Sequence, residues 1–97
     1  MAKAYLVSFY RSISNPAAVA EYAKLAGPAI QGGGGRLLAR GIPAKTYEAG
    51  LEKRTVILEF DTVQQATAAY ERDAYQKALC VIEGAAERDI RIVEGIS

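Results

Sequence analysis

Histidine is absent from this 97-residue chain, and cysteine occurs once, at Cys80. The first absence removes the commonest metal ligand and the commonest proton carrier near neutral pH. The second excludes an intrachain disulfide and any multi-thiolate metal centre. Long apolar runs are missing as well. Nothing approaches the roughly 20 residues of a membrane span, and the opening Met1-Ala2-Lys3-Ala4 has no apolar core with a cleavage site. Charge of one sign is also scarce. Twelve basic against eleven acidic side chains leave +1, and no run of like charge exceeds Lys53-Arg54, so no nucleic-acid footprint is expected. These absences predict a cytoplasmic protein of one domain, residues 1–97, with no metal, cofactor, nucleic-acid or membrane partner. Any chemistry must come from carboxylates, tyrosines, arginines or backbone.

The stretch Arg54 to Phe60 has the composition of a central strand, and Asp61 follows it as a helix-start signal. Alternation places Val56, Leu58 and Phe60 on one face, the core, and Thr55, Ile57 and Glu59 on the other. Ala4 to Tyr10 reads as a first strand, with the Tyr5, Val7 and Phe9 face expected inward. Asn15 and Pro16 start a helix carrying Val19, Tyr22, Ala23 and Ala26 at helical spacing. Gly27-Pro28 is expected to end or kink it near Ala26, with about one more turn before Gly32. The run Gly32 to Gly35 lies after a helix, not before one, so it reads as a C-cap and turn, not a phosphate cradle.

Arg36 to Arg40 predicts an edge strand, with Gly41-Ile42-Pro43 bending or bulging its end. Asp61-Thr62-Val63-Gln64 resembles a capping box, and Asp73-Ala74-Tyr75-Gln76 repeats it, predicting two short helices in place of one long one. Asp89 to Glu94 alternates as a last strand. The resulting β-α-β-β-α-β order is the α+β, ferredoxin-like plan, a four-stranded antiparallel sheet covered by helices on one face. Its other face measures roughly 400 Å², a size at which apolar surface is seldom left bare. The alternation above puts Leu6, Tyr10, Leu38, Ile57 and Val93 there, interspersed with Ser8, Arg36, Arg40, Thr55, Glu59 and Arg91. Pairing two such sheets in a homodimer would cover it.

From Gly34-Gly35-Arg36 through Arg40-Gly41, Glu48, Arg54, Leu58-Glu59-Phe60, Ala66, Tyr70, Tyr75-Gln76 and Arg88 to Glu94-Gly95, the chain resembles an uncharacterised bacterial family of the dimeric α+β barrel superfamily. The resemblance covers nearly the whole chain. It implies a dimer built by sheet-to-sheet packing, with a cavity between each sheet and its own helices or at the barrel mouth. It implies no established reaction, since the superfamily holds cofactor-independent monooxygenases, lactone isomerases and haem-dependent enzymes alike. Similar members carry arginines shortly after the Tyr-Gln pair, where this chain has Leu79 and Ile82. If those arginines hold an anion in the relatives, the departure implies that this chain has lost that grip and takes an apolar ligand, or none.

The sharpest constellation is Glu59 with Arg40 and Arg36, on strands expected to be neighbours, so that an arginine reaches the carboxylate across about 5 Å. One reading makes Glu59 a catalytic proton acceptor and Arg40 and Arg36 substrate anchors. The other makes them a structural ion pair in a dimer interface. Tyr22 and Tyr75 are candidate substrate-binding donors, or core aromatics. Arg54 and Glu48 read as a loop-closing ion pair, and Cys80 as an inert buried thiol. The function expected is small-molecule binding by a dimer, extending to cofactor-independent proton transfer or monooxygenation; the alternative is a non-catalytic binding or structural module.

Overall fold

In the computed structural model, which describes residues 2–96, the chain runs β1 (Ala4–Ile13), α1 (Pro16–Gly32), β2 (Arg36–Gly41), β3 (Thr55–Phe60), α2 (Val63–Glu71), α3 (Asp73–Ile82) and β4 (Ala86–Glu94). The strands form one antiparallel sheet in the order β2-β3-β1-β4, the ferredoxin-like arrangement, with β2 at an edge as expected. The fold is 38 × 35 × 16 Å, so its short dimension holds two layers: helices cover one face of the sheet, and among the described residues no helix covers the other. Among the described residues no helix is long and apolar enough to cross a membrane.

Local sequence accounts for each helix. Asn15 accepts a hydrogen bond from the Ala18 N–H at 3.2 Å and Pro16 fills the first helical position. Contrary to expectation, α1 does not stop near Ala26. It continues through Pro28 to Gly32, because burying Ala29 and Ile30 offsets the one hydrogen bond that proline forgoes. Gly33 then closes the helix by donating to Ala29 and Ile30, and Gly34 takes φ +91°. At Gly35 an added Cβ would lie 2.4 Å from Ile30 and 2.9 Å from Phe60, so the chain passes there only without a side chain.

The cap of α2 is Thr62, one residue later than the pattern suggests. Its hydroxyl accepts from the Gln65 N–H at 3.0 Å, and the Gln65 side chain accepts from the Asp61 N–H at 2.9 Å. Arg72, in extended conformation, separates α2 from α3, so two short helices form. Tyr75, Ala78 and Ile82 are the buried stripe of α3. Cys80 falls on the opposite side and is exposed, correcting the expectation of a buried thiol.

The core lies between the sheet and these helices, around the fully buried Phe60. Here β1 is turned over relative to its expected facing. Leu6, Ser8 and Tyr10 point to the helices, while Phe9 is 41 % exposed on the open side. The register explains it: Ala4, Leu6 and Ser8 lie opposite Phe60, Leu58 and Val56, and directly opposed residues share a face. Tyr5, Val7 and Phe9, though more apolar, therefore join Ile57 and Glu59 on the open face.

Candidate ligand-binding cavity

Three side chains from the sheet interior and two from the helices converge on a cavity of about 200 Å³. Tyr10, Arg54 and Arg88 stand at one end of the sheet's inner face, and Tyr22 of α1 and Tyr75 of α3 descend from above. Leu6, Leu37, Leu58 and Ile30 complete the apolar wall. The aromatic and cationic groups are mutually organised. Arg88 donates to the Tyr22 hydroxyl at 3.0 Å, and that hydroxyl is hydrogen-bonded to the Tyr75 hydroxyl. The Arg88 guanidinium also lies 4.9 Å from the Tyr22 ring centre and 5.6 Å from that of Tyr10, whose ring further carries Arg54 at 5.8 Å.

Burial, reinforced by the neighbouring Tyr75, pushes the Tyr22 hydroxyl well above the ordinary tyrosine range, so it stays protonated and serves as a hydrogen-bond group, not a base. For Arg88, burial opposes the charge, but the Tyr22 and Tyr75 oxygens outweigh it and its guanidinium stays charged. Among the described residues two buried side-chain polar atoms have no hydrogen-bond partner: the Oγ of Ser8, in a residue only 5 % exposed, and the Nε of Arg54. Both residues line the cavity. Orphaned buried donors of this kind are uncommon in folded proteins. Among the described residues no acidic side chain lines the cavity.

Arg40 lies here too, and this corrects the expected Glu59–Arg40 pair. Arg36 faces Glu59 and Leu37 faces Leu58, but the register then slips at Leu38, so that Ala39 faces Ile57 and Arg40 faces Val56. This β-bulge inserts one residue and inverts the facing of all that follow. Arg40 consequently lines the cavity, while Glu59 stays on the open face. There Glu59, with a side chain 18 % exposed, accepts from Arg36 Nε at 3.0 Å and from the Tyr5 hydroxyl at 3.1 Å. Arg36 also bonds Asp61 at 3.1 Å. The Arg36 hydrogen bond holds the Glu59 carboxyl below its usual range; burial opposes it, and the Tyr5 hydrogen bond and the Lys3 and Arg36 charges add to the lowering, so Glu59 is a poor proton acceptor.

Of the five candidate site residues, the structure thus brings Tyr22, Tyr75 and Arg40 together and leaves Glu59 and Arg36 on the far side of the sheet. Sequence reasoning missed Ser8, Tyr10, Arg54 and Arg88. Arg54 and Arg88 are among the residues that carry the family resemblance, which was the one signal pointing to them. Arg54 makes no ion pair with Glu48 among the described residues. The leucine and isoleucine found in place of arginines after Tyr75-Gln76 do not empty the cavity of charge, because its cations come from β2, from β4 and from Arg54 just before β3.

The family model described as "Domain of unknown function (DUF1330)" matches residues 3–96. The chain belongs to that family. No functionally curated protein matches it. Among solved structures, a DUF1330 chain such as this is similar in fold to a protein of unknown function from Rhodopseudomonas palustris, at TM-score 0.71 and 14 % identity, covering 99 % of this chain and 84 % of that one. It is similar to a dimeric ferredoxin-like protein of unknown function from Thermobifida fusca, at TM-score 0.68 and 16 % identity, covering 96 % and 91 %. A cofactor-independent oxygenase from Streptomyces nogalater superposes at TM-score 0.65 with 7 % identity, covering 100 % and 96 %. At these identities the likeness is one of fold alone.

Proposed function

We propose that this DUF1330 protein binds a small organic molecule in the cavity between its sheet and helices, and that it does so as a homodimer joined through the open sheet faces. The observation that carries the first part is the pair of unpartnered donors, Ser8 Oγ and Arg54 Nε, in a cavity lined by three arginines and no carboxylate. Three cations gathered without counter-charge repel one another, and a bound electron-rich molecule relieves that repulsion. The second part is supported by the uncovered face, where Phe9 and Val93 stand exposed beside Val7 and Ile57, and by the dimeric state of the Thermobifida fusca neighbour. On this reading Tyr22, Tyr75 and Arg40 serve the ligand, and Glu59 and Arg36 serve the interface.

A catalytic reading has one observation in its favour: the Tyr22–Tyr75–Arg88 cluster places donors where a developing oxyanion would be stabilised. Proton transfer or monooxygenation without a cofactor would then act on a substrate that readily forms its own anion, since the cavity offers no carboxylate base. Native mass spectrometry of the wild type and Arg54→Leu at micromolar concentration tests the binding reading. The wild type is expected as a dimer carrying small-molecule mass that Arg54→Leu loses. A monomer would overturn the interface, and equal retention of bound mass by Arg54→Leu would overturn the cavity assignment.

A further inference from the structure

The strands that floor the cavity grade it along their length. Tyr10 donates its N–H to the Arg54 carbonyl at 3.0 Å and lies opposite Arg88, so Tyr10, Arg54 and Arg88 occupy one level. One step along, Ser8 lies opposite Val56, which has Arg40 on its other side. At the next step Leu6, Leu58 and Leu37 lie side by side, a level without a polar side chain, and Ile30 and Phe60 pack over Gly35 beyond it. Levels two residues apart are separated by about 7 Å, so roughly 13 Å divides the cationic end from the leucine level.

We propose that the cavity takes a small amphipathic anion, a planar oxyanion head on an apolar body of about one ring, with the head at Ser8, Arg54 and Arg88 and the body against Leu6, Leu37 and Leu58. This rests on the reading that the cavity is a ligand site, and it adds what the ligand is and how it lies. Size sets the body: an apolar cavity of about 150 Å³ accommodates benzene, so about 200 Å³ holds one ring with a small substituent. Charge sets the head, because cationic groups with no carboxylate among them discriminate against a neutral ligand. Planarity follows from the donors, since guanidinium forks match flat, delocalised carboxylate or enolate oxygens. The orphaned Ser8 hydroxyl and Arg54 Nε supply the remaining hydrogen bonds to that head.

Three probes separate the parts of the proposal by isothermal titration calorimetry: benzoate, its neutral isostere benzamide, and acetate, a head without a body. Benzoate is expected to bind at least about tenfold more tightly than either, the difference expected of one charge-assisted hydrogen bond or one buried ring. Arg54→Gln is expected to abolish the preference for benzoate over benzamide, and Ser8→Ala to reduce it, with thermal melting verifying that each variant folds. Equal binding of benzamide and benzoate would overturn the anionic head while leaving a ligand cavity in place. Acetate binding as tightly as benzoate would overturn the apolar body. Failure of all three probes at millimolar concentration would overturn the proposal together with the cavity reading beneath it.

Discussion

The two faces of the sheet carry the same kinds of side chain and arrange them oppositely. On the open face Arg36 is bonded to Glu59 and Asp61, and Arg91 holds Asp89 at 2.8 Å, so each arginine has its carboxylate. On the inner face Arg40, Arg54 and Arg88 share a cavity with tyrosines and no acid. Paired charge is a finished interaction that organises a surface, whereas unpaired charge beside free volume is an unfinished one. The difference teaches that residue type alone does not mark a site. Glu59 is the most conspicuous charge in the central strand, and it is on the finished side.

The bulge at Leu38 sustains this division by turning Arg40 inward, so removing that guanidinium is expected to have the largest effect. Arg40→Leu should lower benzoate affinity about tenfold, since one charged donor leaves the cavity. Because β2 is an exposed edge strand, stability should change by only about 1 kcal/mol in denaturant titration. Unaltered affinity would mean that Arg40 does not serve the ligand. A smaller effect is expected from Arg36→Ala, which strips Glu59 of its cation and should raise the dimer dissociation constant by up to about tenfold in sedimentation velocity. Arg40→Leu should leave that constant unchanged; equal weakening by both would place them on one face and erase the contrast.

The smallest effect is in pH. The Glu59 carboxyl is depressed in the folded protein from an ordinary value of 4.5, chiefly by Arg36. Its contribution is therefore fully present above that value and lost as the pH falls through the lower folded value. Thermal melting of the wild type should decline more steeply below pH 4.5 than that of Glu59→Gln, and parallel curves would count against the pairing.

The element order, the edge position of β2, the two short helices and the open face were all legible, because they rest on alternation and capping signals spread over many residues. The facing of β1 was not. A central strand between a helix layer and an apolar open face is hydrophobic on both sides, so Tyr5, Val7 and Phe9 outscore Leu6, Ser8 and Tyr10 on composition, and only the register to β3 decides. The bulge was equally hidden. Arg36-Leu37-Leu38-Ala39-Arg40 holds no residue that announces an insertion, and Gly41 and Pro43 drew the expectation to the wrong end of the strand. Those two features determine which arginines meet which tyrosines. The cavity was therefore foreseen through Tyr22 and Tyr75, whereas Arg40 was expected on the open face beside Glu59, and Ser8, Arg54 and Arg88 were not foreseen as its partners.

The tyrosines that close the cavity have a spectroscopic consequence. The chain contains six tyrosines and no tryptophan, so its near-ultraviolet emission comes from phenol rings alone. Tyr10, Tyr22 and Tyr75 all border the same 200 Å³ space, two of them joined hydroxyl to hydroxyl and two of them stacked against guanidinium groups. A molecule entering that space changes the surroundings of half the chromophores at once. Occupancy can thus be followed by intrinsic fluorescence, without a label, in the unaltered protein.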